Sequence, residues 1–86
     1  MVPTIVDMND EYVLITGHDC HLCDHARVVL ASIDLPVSEH DVSSATAGAL
    51  AARGVPLTML PVLVRGDQVL AYGRFSERRL RRDFGR

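Results

Sequence analysis

Between Tyr12 and Phe84, short apolar runs alternate with apolar stripes of helical spacing. Tyr12-Val13-Leu14-Ile15-Thr16 is continuously apolar and partly β-branched, the pattern of a strand buried on both faces. Gly17 breaks it. Leu22, Ala26, Val29, Leu30 and Ile33 then fall at offsets 0, 4, 7, 8 and 11, one stripe of a 3.6-residue helix running from Cys20 or Leu22 to Ser32. Asp19 is the expected N-cap, and Pro36 ends the helix by disfavouring helical geometry at the residue before it. Val37 to Val42 reads as a polar edge strand. Ser43 or Ser44 caps a short alanine-rich helix, Ala45 to Arg53, with Ala47, Leu50 and Ala51 as its buried stripe and Gly54 closing it.

Pro61 to Arg65 and Gln68 to Tyr72 are two strands joined by Gly66-Asp67, a link that fits a type II′ hairpin turn and makes them antiparallel. Ser76 caps a last helix through Asp83, with Phe75 and Leu80 placed as a hydrophobic staple. Leu80 and Phe84 form its apolar stripe, and Arg78, Arg79, Arg81 and Arg82 cover the rest. The predicted order is β-α-β-α-β-β-α. A right-handed crossover makes the first two strands parallel. A four-stranded mixed sheet with helices on both faces is the compact α/β solution. Residues 1–86 are expected to form one domain, with 1–10 as a loose lead-in and a turn at Asn9-Asp10.

Composition narrows the classes. With 48% hydrophobic and 23% charged residues the chain is globular rather than disordered. It has no tryptophan and only two Tyr and two Phe, so its core must be mostly Val, Leu, Ile and Ala. A formal charge of −2 argues against a general nucleic-acid binder. All nine basic residues are arginine, and six of them follow Arg65; that cluster reads chiefly as a solvated helix face. Met1 to Asp10 lacks the basic start and apolar run of a secretory signal. Nothing approaches the roughly 18 apolar residues of a bilayer span. A cytoplasmic location is the expectation, with no membrane partner.

The chemistry-bearing stretch is Thr16 to His25, which holds both cysteines, at i and i+3, and three of the four histidines. A bridge closing so short a loop removes little unfolded-chain entropy, so a Cys20–Cys23 disulfide is better explained by chemistry than by stapling. In a reducing compartment a lone C-x-x-C is catalytic or metal-binding rather than structural. At a strand-to-helix turn, unpaired amides and the positive end of the helix dipole favour a thiolate at Cys20. The thiolate attacks a substrate disulfide, and Cys23 resolves the mixed disulfide. His18 and His21, if protonated, favour that thiolate, whereas Asp19 and Asp24 oppose it. The alternative is a redox-inactive module. His18-x-Cys20-x-x-Cys23-x-His25 offers four zinc-ligand types, and the cysteines could share an iron–sulfur cluster between two chains. On a helix, however, His25 points about 140° away from Cys20. A protein-docking module is the remaining option, and His25 and His40 read as surface residues.

Cys20-His21-Leu22-Cys23-Asp24, followed by Pro61-Val62-Leu63 and Gly73-Arg74-Phe75 in this order of elements, resembles the glutaredoxin and thioredoxin superfamily, and within it a group of short bacterial glutaredoxin-like proteins. The resemblance spans Tyr12 to Phe84. It implies a thioredoxin-like fold and a thiol–disulfide oxidoreductase working in electron transport, with Cys20, Cys23 and Pro61 as its catalytic set. It further implies a cis Leu60–Pro61 peptide facing the cysteines, which leaves the Leu60 backbone free to pair with a substrate chain. His21, Leu22, Leu60, Gly73, Arg74 and Ser76 become the expected substrate-binding residues. No tightly bound cofactor or metal is implied. Glutathione or a disulfide-containing protein is the expected partner, with a reductase as electron source. The chain departs from glutathione-using relatives in having no lysine, His21-Leu22 between the cysteines, and Tyr72-Gly73-Arg74-Phe75-Ser76 before the last helix. Arg74 and the free amides of Ser76 and Glu77 are the candidates to hold a glutathione carboxylate.

Overall fold

A computed structural model describes residues 11–84. The expected lead-in, with its turn at Asn9-Asp10, lies outside the described residues. Strand β1 (Tyr12–Thr16) leads into helix α1 (His21–Ser32), strand β2 (Ser38–Asp41), helix α2 (Ala45–Ala52), strand β3 (Val62–Arg65), strand β4 (Gln68–Tyr72) and helix α3 (Glu77–Phe84). The four strands form one mixed sheet in the order β2-β1-β3-β4. β1 runs parallel to β2, with Val13 opposite Ser38, and antiparallel to β3, with Leu14 opposite Leu63. β3 and β4 form the expected hairpin. At its tip Gly66 has φ 64° and Asp67 has no positive φ, as a type II′ turn requires. The expected α/β architecture is the observed one, and its arrangement is thioredoxin-like.

Alternation along the two central strands divides the core into two clusters. Leu14 and Leu63 face α1 and α3, where Ala26, Val29, Leu30, Ile33, Phe75 and Leu80 bury against them. Ile15, Val62 and Val64 face the other way, against Ala47, Leu50 and Val55 of α2 and the loop after it. Both faces of β1 and β3 are therefore covered, which explains their unbroken apolar sequence. β4 adds an irregularity that its sequence does not announce. Its pairing shifts opposite Leu63 and Val64, so that Val64 faces Val69 but Leu63 faces Ala71. The extra residue, Leu70, turns with Ala71 toward the α1–α3 cluster, whereas Val69 packs on the α2 side.

Helix ends depart from expectation in instructive ways. α1 is not stopped by Pro36. It closes in a Schellman motif: Leu35 N–H donates to Leu30 O (3.1 Å) and Asp34 N–H to Ala31 O (3.1 Å), with Asp34 itself at φ 55°. α2 ends identically, through Val55 N–H to Leu50 O (3.0 Å) and Gly54 N–H to Ala51 O (3.0 Å), and here the left-handed position is a glycine. Ser44, not Ser43, caps α2, accepting from Ala47 N–H at 3.1 Å. Ser43 binds the Asp41 carboxylate instead. Ala51 is exposed rather than buried; of α2 only Ala47 and Leu50 are buried. β2 is shorter than the expected Val37–Val42, and β3 begins at Val62 rather than Pro61. Among the described residues no helix is long and apolar enough to cross a membrane.

Candidate redox site

The β1–α1 turn is built by three consecutive local choices. Gly17 ends β1, Asp19 takes a left-handed conformation (φ 48°), and Cys20 returns to extended geometry (φ −112°, ψ 100°) as the residue that caps α1. Asp19 is thus not the N-cap; it makes the bend that lets Cys20 be one. Cys20 Sγ accepts from the Cys23 amide at 3.0 Å, in the place where a serine or aspartate oxygen usually sits. The two cysteines are joined in a disulfide with Cα atoms 5.1 Å apart. Cys20 is partly exposed, whereas Cys23 is fully buried (0%) on the inward face of α1 beside Ala26. Four residues of the expected stripe, Ala26, Val29, Leu30 and Ile33, are buried; at the first turn of the helix Cys23 takes the buried position and Leu22 stays half-exposed.

Charges around the turn are largely spoken for. Arg27 Nη1 donates to Asp24 Oδ1 (2.6 Å), and its Nη2 to Glu39 Oε2 (2.6 Å) on β2. The buried Thr16 hydroxyl also donates to Glu39 Oε2, at 3.0 Å. Arg27 holds the Glu39 carboxyl below its usual range, chiefly by hydrogen bonding and with help from Thr16. Asp24, which in isolation would oppose a thiolate at Cys20, therefore faces a guanidinium. Asp41 is likewise held low, first by the Ser43 hydroxyl and amide and then by the nearby charge of His18. His21 is exposed beside Cys20.

A second segment meets the turn from β3. Leu60–Pro61 is a cis peptide, and Pro61 is buried. A Cβ placed on Gly17 would lie 2.9 Å from Leu60 Cδ1, so the absence of a side chain at Gly17 is what lets Leu60 pack against the start of the cysteine loop. Backbone N–H and C=O of Leu60 make no hydrogen bond with any described residue. Pro61 O accepts from Gly73 N–H at 2.9 Å, which ties the turn after β4 to the same place. Gly73 is buried with φ 68°, a backbone setting that glycine alone adopts at little cost. Arg74 and Ser76 follow on the surface.

His25 and the Arg27–Glu39–Thr16 cluster escaped sequence reasoning. His25 is half-buried rather than a surface residue, and its Nε2 lies 3.2 Å from Phe75 O in the turn before α3. His40, also expected at the surface, is half-buried with its Nε2 2.9 Å from Ser38 Oγ. Long-range contacts of single polar side chains leave no periodic trace. Among the described residues no three His, Cys, Asp or Glu side chains converge as metal ligands. His25 turns to α3, and His18 lies near Asp41. No protein-family model matches the chain, and no curated protein matches it.

Proposed function

We propose that the chain is a glutaredoxin-like thiol–disulfide oxidoreductase that cycles Cys20 and Cys23 between dithiol and disulfide. One observation carries the reading: Cys20 Sγ caps α1 and accepts the Cys23 amide, while Cys23 is fully buried behind it. In the reduced protein that amide and the helix dipole favour a Cys20 thiolate. The thiolate attacks one sulfur of a substrate disulfide, forming a mixed disulfide and releasing the first substrate thiolate. Cys23, giving up its proton, then attacks Cys20 Sγ and expels the second substrate thiolate. Two electrons pass to the substrate as the Cys20–Cys23 bond closes. A reductase or glutathione returns them.

Leu60, with its unpaired backbone, is the proposed strand-like contact for a protein substrate. His21 and Leu22 flank the entering sulfur. Gly73 holds the neighbouring turn, and Arg74 with the Ser76 amide is the proposed seat for a glutathione carboxylate. The reducing cytoplasm is the proposed setting.

Insulin reduction measured beside a glutathione-coupled disulfide assay tests the activity and separates the two substrate classes. Iodoacetamide alkylation across a pH series tests the chemistry: Cys20 should react well below pH 8 and faster than Cys23. Inactivity in both assays, with Cys20 reacting only above pH 8, would overturn the proposal.

A further inference from the structure

The arginines of α3 are not equivalent. Arg81 is neutralised by Glu77 at 2.6 Å and reaches Ser32 O at 3.5 Å, and Arg82 lies 3.9 Å from Asp83. The guanidinium groups of Arg74, Arg78 and Arg79 have no ion pair or hydrogen bond among the described residues. Two of these three line a cleft of about 490 Å³ between β4 and the start of α3, together with Leu70, Tyr72, Ser76 and Leu80. Tyr72 is 62% exposed at its mouth. Along the cleft runs β4, an edge strand whose outward N–H and C=O groups have no partner among the described residues.

From these we infer that the β4–α3 cleft is a docking surface for an acidic, extended segment of a partner protein. Its carboxylates would pair with Arg74 and Arg79, and its backbone would lie along β4. Three features choose this occupant. Two guanidinium groups without a partner among the described residues line one cleft, and a carboxylate matches the fork geometry of each. The unpaired strand edge offers alternating donors and acceptors, which suit a peptide backbone and not a phosphodiester chain. Leu70, half-buried, and Leu80, buried, stand in the cleft among its polar groups, whereas nucleic acid needs a longer basic stripe than two arginines. Arg74 adjoins Gly73, whose amide is bound to Pro61 O, next to the Leu60 that packs on Gly17. The inference shares Arg74 with the proposed glutathione seat but needs no redox activity, and peptide binding by itself reads it out.

Fluorescence anisotropy of the full oxidised chain with a labelled peptide of alternating glutamate and valine tests it, beside glutamine and lysine versions of the same peptide. The glutamate peptide should bind, and the glutamine version about tenfold more weakly, since a charge-assisted bond is lost at each arginine. Arg74→Gln with Arg79→Gln should remove that preference, while Arg78→Gln, outside the cleft, retains it. Arg74→Glu with Arg79→Glu should invert it in favour of the lysine peptide. Amide shifts in NMR should fall on 69–75. Equal binding of all three peptides, shifts elsewhere, displacement of the peptide by a single-stranded RNA oligomer, or a chain that dimerises through β4 would each overturn the inference.

Discussion

His25 Nε2 lies 3.2 Å from the carbonyl oxygen of Phe75, fifty residues away in sequence. A carbonyl can only accept, so the ring carries its proton on Nε2 in this contact. The bond joins α1, two residues past Cys23, to the turn that Gly73 fastens to Pro61. His25→Ala should cost about 1 kcal/mol of stability, the usual value of one part-buried hydrogen bond. It should also raise amide exchange selectively at 73–77. His25→Gln, which keeps a donor, should recover part of both. Uniform exchange changes across the chain would show that the contact does not hold this turn.

In the proposed cycle, the difference in exposure between the cysteines sets the order of exchange. Cys23→Ser should trap a mixed disulfide with substrate on Cys20, because the resolving sulfur is gone. Cys20→Ser should trap none, since Cys23 is buried. Mass spectrometry after incubation with oxidised glutathione or oxidised insulin reads the result. Equal adducts on both variants would contradict the assigned roles.

Asp34 occupies the left-handed position of the α1 Schellman motif with φ 55°, where α2 uses Gly54. A side chain there costs energy that glycine avoids, although aspartate tolerates it better than most residues. Asp34→Gly should therefore stabilise the chain by about 0.5–1 kcal/mol, and Asp34→Val should destabilise it by more than about 1 kcal/mol. Urea midpoints measure both. A destabilising glycine would mean that Asp34 contributes through its side chain instead.

Acid sensitivity follows from Arg27 and Glu39. The Glu39 carboxyl lies below its ordinary value of 4.5 in the folded chain, chiefly because Arg27 donates to it. A depressed carboxyl stabilises the fold above its unfolded value and loses that contribution as pH falls through the folded one. Between about pH 6 and pH 3 the native chain should lose more stability than Glu39→Gln, by about 0.5 kcal/mol for a pair this exposed. Parallel urea-stability profiles for the two proteins would remove Glu39 from the acid response.

Elements whose faces are both buried were the legible ones. β1 spans Tyr12–Thr16 as read, and the Gly66-Asp67 hairpin closes where its turn chemistry demands. Positions set by local backbone geometry were less visible. The bend at Asp19 moves the cap to Cys20, and in the first turn of α1 Cys23 rather than Leu22 is buried, while the rest of the stripe stands as read. Ala51 carries no signal that distinguishes a core alanine from a surface one. The shift at Leu70, which turns Leu70 and Ala71 toward one cluster, has no local sequence signature. In the candidate site, the cysteine pair was plain from spacing alone. The Gly73–Pro61 bond and the gap that Gly17 leaves for Leu60 exist only once the strands are assembled.

Complete enclosure of the Cys23 sulfur leaves the pair with a single doorway. Whatever reaches this disulfide, large or small, must first touch Cys20. In the proposed cycle, donor and acceptor consequently cannot occupy the pair together; they must take turns at one atom. The proposed exchange is serial by construction.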